Sequence, residues 1–244
     1  MGISKRRAAA KPLVTAVIVA AGKGERMGAG IDKQLAPLCG MPVVARTIAA
    51  FEESLLTDEI VVVVSSAGMV PVAAIVKEFG FEKVVRIVAG GQTRQQSAAA
   101  GFAAANPATL FVAVHDGARP LIAPQAIDDV VAAAIESGAA AAAVRVKDTI
   151  KVADAQGFVV STPERAALWA VQTPQAFGAE LYRAALAAAE RSGADYTDDC
   201  QLAEAAGHRV KLVECAYTNI KITTREDICY AQAILEEGAQ GDYL

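Results

Sequence analysis

Short apolar stretches recur along the chain and alternate with segments of helical periodicity. The apolar stretches are rich in valine, isoleucine and alanine and cover residues 14–20, 60–65, 84–89, 110–114, 140–146 and 210–213. The helical patterns between them cover residues 43–54, 70–79, 92–105 and 124–137. Continuously apolar strands that alternate with helices are typical of a parallel sheet covered on both faces. The pattern therefore predicts an α/β fold, a Rossmann-like and mostly parallel sheet with helices on both faces.

Residues 147–174 interrupt this alternation. Short stretches of alternating apolar and polar residues flank a polar turn at residues 154–157, which predicts a β-hairpin arm with a short connecting segment. A two-stranded hairpin cannot bury its own faces, so the arm is expected to pack against a second subunit and form a homodimer. The βα alternation returns near Phe177, and a last helix is predicted to begin near Thr224.

The domain organisation follows from these segments. Residues 1–11 are basic and lack a long apolar stretch behind them, so they are interpreted as a flexible tail rather than a signal peptide. Residues 12–244 are expected to form one domain, into which the arm at residues 147–174 is inserted. At 244 residues, the chain is long enough for a single α/β domain of this kind.

Composition narrows the class of protein. The chain is 54% hydrophobic and 20% charged, as expected of a globular protein with a substantial core. No apolar run reaches the roughly 18 residues that span a bilayer, so no membrane partner is expected and the predicted location is the cytoplasm. The net charge is −4, and neither the short N-terminal tail nor any predicted helix suggests nucleic-acid binding, so no nucleic-acid partner is expected. Four scattered cysteines and two histidines predict reduced thiols and no zinc cluster.

A glycine-rich basic loop follows the first predicted strand. Residues 17–34 read VIVAAGKGERMGAGIDKQ, with four glycines and the cations Lys23, Arg26 and Lys33 in the loop. The Gly-Lys-Ser/Thr ending of a P-loop is missing, and Met27 occupies the third glycine position of the dinucleotide-binding fingerprint. A loop of this length can wrap a polyphosphate with backbone N–H groups and cations. The alternative is a flexible connection with solvated charges.

The pattern A-A-G-x-G-x-R-M followed by K-Q resembles the sugar-nucleotide and polyol-phosphate nucleotidyltransferases. Six further motifs occur in order and are GGxxRxxS from residue 90, HDGARP from 115, DTIK from 148, TPQAF from 173, TDD from 197 and NIKIT from 219. Together they are similar to the 2-C-methyl-D-erythritol 4-phosphate cytidylyltransferase family, over about residues 14–235. The resemblance implies transfer of CMP from CTP to the alcohol phosphate, with release of pyrophosphate.

The chemistry implied by the resemblance is electrostatic. The attacking group is a phosphate monoester, whose second pKa of about 6 leaves it largely dianionic at pH 7, so it needs no general base. Fixed cations must offset the charge that builds up at the α-phosphorus. The resemblance assigns Lys33 and Lys221 to the α-phosphate and Arg26 to the β- and γ-phosphates, as the catalytic residues. Mg²⁺ is expected as the cofactor, held mainly by the CTP phosphates and not by a protein metal site.

The resemblance also implies two sets of binding residues. Those for the nucleotide are Ala20, Ala21, Gly22, Gly24, Gly91, Gln92 and Ser97. Those for the alcohol phosphate are Asp116, Arg119, Thr149, Arg165, Thr173 and Thr197. Gln92 stands where the family often has an acidic residue, so its contact with the nucleotide stays open.

Several of these residues carry further expectations. Thr149 and Arg165 come from the arm and would act in the partner's site if the arm crosses a dimer. Arg94 is expected either to bind or to hold the loop. For Asp198 and Asp199, the capping or framework role is favoured. His115 is expected to make local structural contacts, and Lys23 to be a solvated charge.

Three alternatives remain open at this point. Ribitol-5-phosphate cytidylyltransferases share most of the motifs, although Lys151 and the placement of Arg165 before Leu168-Trp169 favour methylerythritol phosphate. A nucleotide-binding module without catalysis is disfavoured because Arg26 and the motif lysines are present. A dinucleotide oxidoreductase is disfavoured because the third glycine is missing.

Overall fold

A computed structural model describes residues 11–22 and 33–239 of the chain. Its strands are β1 (Val14–Ala20), β2 (Pro37–Leu38), β3 (Met41–Pro42), β4 (Glu59–Val64), β5 (Val84–Ala89), β6 (Phe111–Asp116), β7 (Ala139–Arg145), β8 (Val152–Ala153), β9 (Val159–Ser161), β10 (Trp169–Gly178) and β11 (Lys211–Glu214). Its α-helices are α1 (Val43–Glu53), α2 (Met69–Phe79), α3 (Arg94–Ala103), α4 (Pro124–Ser137), α5 (Ala179–Ser192), α6 (Asp199–Ala205) and α7 (Arg225–Ala239).

Seven of these strands form one sheet in the order β11-β7-β10-β6-β1-β4-β5. The pairs β1–β4, β1–β6, β4–β5 and β7–β11 are parallel, whereas β10 runs antiparallel to both β6 and β7. The predicted α/β class and the mostly parallel sheet are confirmed. The predicted strands at residues 14–20 and 84–89 and the helix at 124–137 match the observed bounds, and most of the other predicted elements are shifted by one or two residues.

Helices cover both faces of this sheet. Successive side chains of a strand point to opposite faces, so the side chains of β1 pack against two different sets of helices. Ala16 and Ile18 of β1 pack in the cluster that includes residues of α1, α2 and α4. Val17 packs in the opposite cluster, with residues of α3, α5 and α6. β1 is therefore buried on both faces, which explains its uninterrupted apolar sequence. None of the described helices is long and apolar enough to cross a membrane.

The predicted arm is shorter than expected, because β10 begins at Trp169 and belongs to the central sheet. The sequence of β10 does not predict a buried strand, because several of its buried residues are polar. Gln172, Thr173 and Gln175 are at most 7% exposed, and each makes hydrogen bonds within the protein. Buried polar side chains with satisfied hydrogen bonds are tolerated in a sheet but break the apolar pattern that predicts a strand.

Within the shortened arm, residues 147–168, β8 and β9 pair as a small hairpin. Its turn is closed by Asp154, whose carboxylate accepts hydrogen bonds from the N–H groups of Gln156 and Phe158. Phe158, Val159 and Val160 are 61–73% exposed. These large apolar side chains of the hairpin are therefore not covered by other described residues of the same chain.

Candidate active site

A cleft of about 1240 Å³ lies where β1, β5 and β6 end. Carboxyl ends of parallel strands meet at one edge of a sheet, and ligands of open α/β sheets bind there. The lining combines glycines of two loops with polar and charged side chains of four chain segments. The lining residues are Val19, Ala21, Gly22, Lys33, Gln34, Gly90, Gly91, Gln92, Thr93, Arg94, Gln96, Ser97, Asp116, Ala118, Lys221 and Thr223.

Asp116, the last residue of β6, is surrounded by cations. Its Oδ1 accepts a hydrogen bond from Arg94 Nε at 3.2 Å, and its Oδ2 accepts one from Lys221 Nζ at 2.8 Å. Arg119 Nε lies 3.8 Å from the same Oδ2. Burial alone would raise the pKa of the Asp116 carboxyl, but the charges of Arg94 and Lys221 outweigh it and hold that pKa well below its ordinary value. Asp116 is therefore an ionised acceptor at neutral pH.

The backbone and side chains behind Asp116 fix its position. The Asp116 N–H donates to Thr173 Oγ1 at 3.0 Å, and that hydroxyl lies 3.0 Å from His115 Nδ1. Burial lowers the pKa of His115 to about 3, so the imidazole is neutral at pH 7. Its Nε2 lies 3.3 Å from the Arg119 carbonyl, which can only accept, so Nε2 carries the proton and Nδ1 accepts the hydrogen bond of the Thr173 hydroxyl. The expected local structural role of His115 is confirmed. Thr173, expected to bind substrate, is 3% exposed and uses its hydroxyl inside the protein.

Lys221 is held between two anchored neighbours. Asn219 is 1% exposed, and its Nδ2 donates to Gln172 Oε1 at 2.8 Å and to the Thr173 carbonyl at 3.0 Å. On the other side, the N–H of Ile222 donates to the carbonyl of Ala118 at 2.8 Å. The side chain of Lys221 is 38% exposed at the cleft. A backbone fixed on both sides gives this ammonium a defined direction toward Asp116.

The second wall of the cleft is the loop between β5 and α3. A Cβ added at Gly90 would lie 2.5 Å from the Cβ of Ala21, so only glycine allows this loop to approach the end of β1. Thr93 caps α3, and Gln96 Oε1 accepts hydrogen bonds from the N–H groups of Gln92 and Thr93. The loop is thus fixed by its own capping box beside the glycines of β1.

Ser97, expected to bind the nucleotide, supports this loop from below. Its hydroxyl accepts from the N–H of Gly91 at 3.2 Å and donates to the carbonyl of Thr93 at 2.9 Å. Ser97 is 3% exposed, whereas Gln92 is exposed at the cleft. Ala20 is 5% exposed and packs in the core behind Ala21 and Gly22. Among the expected nucleotide-binding residues, Ala21, Gly22, Gly91 and Gln92 present exposed or half-exposed atoms to the cleft.

Several predicted residues lie elsewhere or outside the description. Gly24, Arg26 and Lys23 fall outside the described residues. Thr149 and Arg165 are exposed on the arm, and neither lines the cleft of its own chain. Two further residues were expected to bind the alcohol phosphate. Thr197 is exposed, and its hydroxyl lies 3.1 Å from Gln201 Oε1. Arg119 donates from Nη1 to the carbonyl of Asn219 at 2.7 Å.

The T-D-D motif divides its two carboxylates between different tasks. Asp198 is the N-cap of α6 and accepts from the N–H of Gln201 at 2.8 Å, which confirms the capping role. Asp199 is 1% exposed and forms an ion pair with Arg94, with Oδ2 2.5 Å from Nη1. The phenol of Tyr182 donates to Asp199 Oδ1 at 2.6 Å. The framework role expected for Asp199 and the loop-holding role expected for Arg94 are therefore carried by the same ion pair.

Sequence reasoning missed the link from Tyr182 to this cluster, and it missed Gln34 and Thr223 as lining residues. Tyr182 lies in an alanine-rich helical pattern without a motif, so the sequence carried no signal for it. Gln34 was visible only as the partner of Lys33 in the K-Q pair, and Thr223 only as the last residue of NIKIT.

The described lining residues carry an excess of positive charge. Lys33, Arg94 and Lys221 face a single carboxylate, Asp116. No group of three or more histidine, cysteine, aspartate or glutamate side chains is placed to hold a metal ion within residues 11–22 and 33–239. A Mg²⁺ ion bound here would therefore take most of its oxygen ligands from a bound polyphosphate, as this ion commonly does, with Asp116 as the one cleft carboxylate.

Comparisons with known proteins identify the family of the chain. The family model described as "IspD: 2-C-methyl-D-erythritol 4-phosphate cytidylyltransferase" matches residues 14–237. The chain is 44% identical to the 2-C-methyl-D-erythritol 4-phosphate cytidylyltransferase of Alkaliphilus oremlandii over 227 residues, which is 92% of this chain and 96% of that protein. It is 46% identical to the protein of the same name from Desulforamulus reducens over 224 residues, 91% of this chain and 96% of that protein.

A solved structure shows the same architecture. The crystal structure of 4-diphosphocytidyl-2C-methyl-D-erythritol synthase from Anaerococcus prevotii superposes with a TM-score of 0.84 at 32% sequence identity. The match covers 93% of this chain and 97% of that one. The family model, the relatives and the solved structure each match most of the chain, and the chain belongs to the IspD family of 2-C-methyl-D-erythritol 4-phosphate cytidylyltransferases.

Proposed function

We propose that the protein transfers CMP from CTP to 2-C-methyl-D-erythritol 4-phosphate and so forms 4-diphosphocytidyl-2-C-methyl-D-erythritol and pyrophosphate. The family membership supports this activity. The observation that carries it in the structure is the 2.8 Å contact of Lys221 Nζ with Asp116 Oδ2. It sets a phosphate-binding cation directly beside an acceptor for alcohol hydroxyls, and the reaction must bring these two ligands together.

Asp116 suits the polyol part of the substrate. An ionised carboxylate has about four lone-pair positions, and Arg94 and Lys221 occupy one on each oxygen. The remaining positions can accept hydrogen bonds from substrate hydroxyls at the cleft. Because the depressed pKa keeps Asp116 ionised, it acts only as an acceptor at neutral pH.

The reaction proceeds by in-line displacement. An oxygen of the substrate phosphate forms a bond with the α-phosphorus of CTP, and the bond from that phosphorus to the β-phosphate oxygen breaks. Lys33 and Lys221 offset the charge at the α-phosphate, and Arg26 holds the β- and γ-phosphates. No proton transfer is required, in agreement with a neutral His115 that is fully buried behind the cleft. Bound Mg²⁺ would neutralise part of the triphosphate charge.

Nucleotide binding is assigned to the paired glycine segments. Ala21 and Gly22 at the end of β1, with Gly24, receive the phosphates, and Gly91 and Gln92 face the base or ribose. Ser97 contributes by fixing the N–H of Gly91. Thr173 contributes to substrate binding through the backbone N–H of Asp116 that it holds. Arg119 and Thr197 remain assigned to the alcohol phosphate.

The active form is proposed to be a homodimer built through the arm. Phe158, Val159 and Val160 expose more than 60% of their surface on a hairpin of two short strands, which a second subunit would cover. Thr149 and Arg165, exposed on the same arm, would then complete the partner's cleft, with Arg165 suited to bidentate capture of the substrate phosphate. A cytoplasmic location is part of the proposal, and the four free cysteines support a reducing compartment.

A complementation experiment tests the dimer. Lys33→Ala and Arg165→Ala chains are purified separately, mixed under exchange conditions, and verified as heterodimers by native mass spectrometry. Sites that combine residues of both chains regain activity in one of the two clefts of each heterodimer. Verified heterodimers that stay inactive would show that each site is built within one chain.

A paired assay tests the reaction itself. Pyrophosphate release is measured with CTP, Mg²⁺ and either 2-C-methyl-D-erythritol 4-phosphate or ribitol 5-phosphate. The proposal requires a clear preference for the methylerythritol substrate, and faster turnover of ribitol 5-phosphate would overturn it.

A further inference from the structure

We propose that Asp199 and Tyr182 are positioning residues that act through Arg94 on the substrate-binding carboxylate of Asp116. Neither residue lines the cleft, and both are buried, with Asp199 1% and Tyr182 0% exposed. The inference rests on the proposed function, in which Asp116 accepts hydrogen bonds from the alcohol phosphate. It adds two residues to that site that make no contact with substrate.

The contacts form a continuous chain from the core to the cleft. Tyr182 Oη donates to Asp199 Oδ1 at 2.6 Å, and Asp199 Oδ2 lies 2.5 Å from Arg94 Nη1. Arg94 then donates from Nε to Asp116 Oδ1 at 3.2 Å. Each link joins a donor to a carboxylate, and such charge-assisted hydrogen bonds are stronger and more directional than neutral ones.

Asp199 is itself rigidly placed. It is the first residue of α6, and its N–H donates to Gln175 Oε1 at 2.9 Å. Gln175 belongs to β10 in the middle of the sheet, paired with β6 and β7. The Asp199 carboxylate is therefore fixed relative to the same sheet that carries Asp116.

Arg94 stands between two carboxylates of different burial. The planar guanidinium reaches both from different nitrogens, and the two charges keep its pKa above the ordinary value although burial lowers it. If Asp199 were neutral, Arg94 would have Asp116 as its single ionised partner in this cluster. The guanidinium would move toward Asp116 and take up acceptor positions that substrate hydroxyls need.

Arg94 also begins α3, directly after the loop of residues 90–93 that forms the second cleft wall. That loop has its own fixation, because Thr93 and Gln96 form a capping box and Thr93 Oγ1 donates to Asp195 Oδ1 at 2.9 Å. Loss of the Asp199 charge should therefore act on alcohol-phosphate binding more than on CTP binding.

Steady-state kinetics of Asp199→Asn tests the inference, with Asp198→Asn as the matched control. The control removes a neighbouring charge on the same helix, keeps a good N-cap residue, and touches neither Arg94 nor Tyr182 in the structure. In Asp199→Asn, KM for the alcohol phosphate should rise about tenfold, as expected for one lost charge-assisted hydrogen bond. KM for CTP in this variant, and both KM values in the control, should stay within about twofold of wild type.

A purely structural role for Asp199 predicts a different result. It would lower the melting temperature and the active fraction while leaving both KM values unchanged, and that result overturns the inference. Tyr182→Phe keeps the buried ring and removes only the hydroxyl, so it provides a second variant if Asp199→Asn fails to fold. It should raise KM for the alcohol phosphate about threefold, and an unchanged KM would contradict the inference.

A double-mutant cycle tests whether the effect passes through Arg94. In an Arg94→Lys background, the single ammonium group of lysine cannot bridge both carboxylates as the guanidinium does. Asp199→Asn should therefore raise the KM for the alcohol phosphate no further in this background. Full additivity of the two substitutions would contradict the proposed route. The wild-type assay distinguishes failure of the proposed function from failure of this inference. An inactive wild type refutes the proposed function. An active wild type, with the same KM for the alcohol phosphate in Asp199→Asn as in Asp198→Asn, refutes only this inference.

Discussion

Replacement of Lys221 by methionine should abolish most turnover with little effect on folding. Methionine keeps an unbranched apolar stem of similar length and removes the ammonium beside Asp116. Loss of one donor that stabilises developing charge typically lowers kcat by about 10²–10³-fold, or roughly 3–4 kcal/mol of transition-state stabilisation. The hydrogen bonds of Asn219 and of the Ile222 N–H hold the backbone on both sides of Lys221 and so fix the place of the ammonium that the variant removes.

The cost in stability should be much smaller. The Lys221 side chain is 38% exposed, and Asp116 keeps its hydrogen bond to Arg94 in the variant. Loss of a partly exposed ion pair costs about 0–1 kcal/mol, which lowers the melting temperature of a chain of this size by at most about 4 °C.

The assay combines pyrophosphate release at saturating CTP and alcohol phosphate with thermal unfolding followed by circular dichroism. Lys77→Met, an exposed lysine on α2 remote from the cleft lining, serves as the control and should match wild type in both measurements. A kcat of Lys221→Met within about threefold of wild type would refute the catalytic role, because the lost interaction would then be worth less than 1 kcal/mol.

Three further predictions concern the groups around the cleft. The pKa of His115 is lowered to about 3 by burial, so its contribution to stability is complete above pH 6.5 and is lost as the pH falls toward 3; urea unfolding between pH 7 and pH 4 should therefore show a steeper loss for wild type than for His115→Asn, and equal slopes would contradict a buried neutral imidazole. Gly90→Ala places a Cβ 2.5 Å from that of Ala21 and should raise KM for CTP by about tenfold or more, while Gly178→Ala, whose Cβ meets nothing closer than 3.7 Å, leaves KM unchanged. Thr173→Val leaves the Asp116 N–H without its partner and should destabilise the fold by about 1–3 kcal/mol in chemical denaturation, an effect that an unchanged midpoint would exclude.

The parts of the fold that sequence predicts well are those with regular apolar patterns. β1 is apolar throughout because helices cover both of its faces, and α4 has proline at its first position and glycine after its last. The sequence pattern places the first part of β10 in the arm because buried polar residues interrupt its apolar pattern. Their hydrogen-bond partners are distant in sequence, His115 for Thr173 and Asn219 for Gln172, and a single sequence does not show such partners. Long-range hydrogen bonds therefore set the limit of pattern-based prediction here.

The candidate site divides in the same way. Asp116, Lys33 and Lys221 were identified from motifs, and the structure brings them into one cleft. The division of labour between Asp198 and Asp199 was expected only in outline, and the contact of Tyr182 with Asp199 was not expected at all. Tyr182 is 17 residues from Asp199 in sequence, on a different helix, and no local spacing marks the pair.

A comparison of two alcohol phosphates decides which reaction the protein catalyses. Purified wild-type protein is supplied with CTP and Mg²⁺, and pyrophosphate release is followed with 2-C-methyl-D-erythritol 4-phosphate and with ribitol 5-phosphate at matched concentrations. We expect turnover to be strongly favoured with 2-C-methyl-D-erythritol 4-phosphate. Turnover that favours ribitol 5-phosphate, or no turnover of either by folded protein, would contradict it.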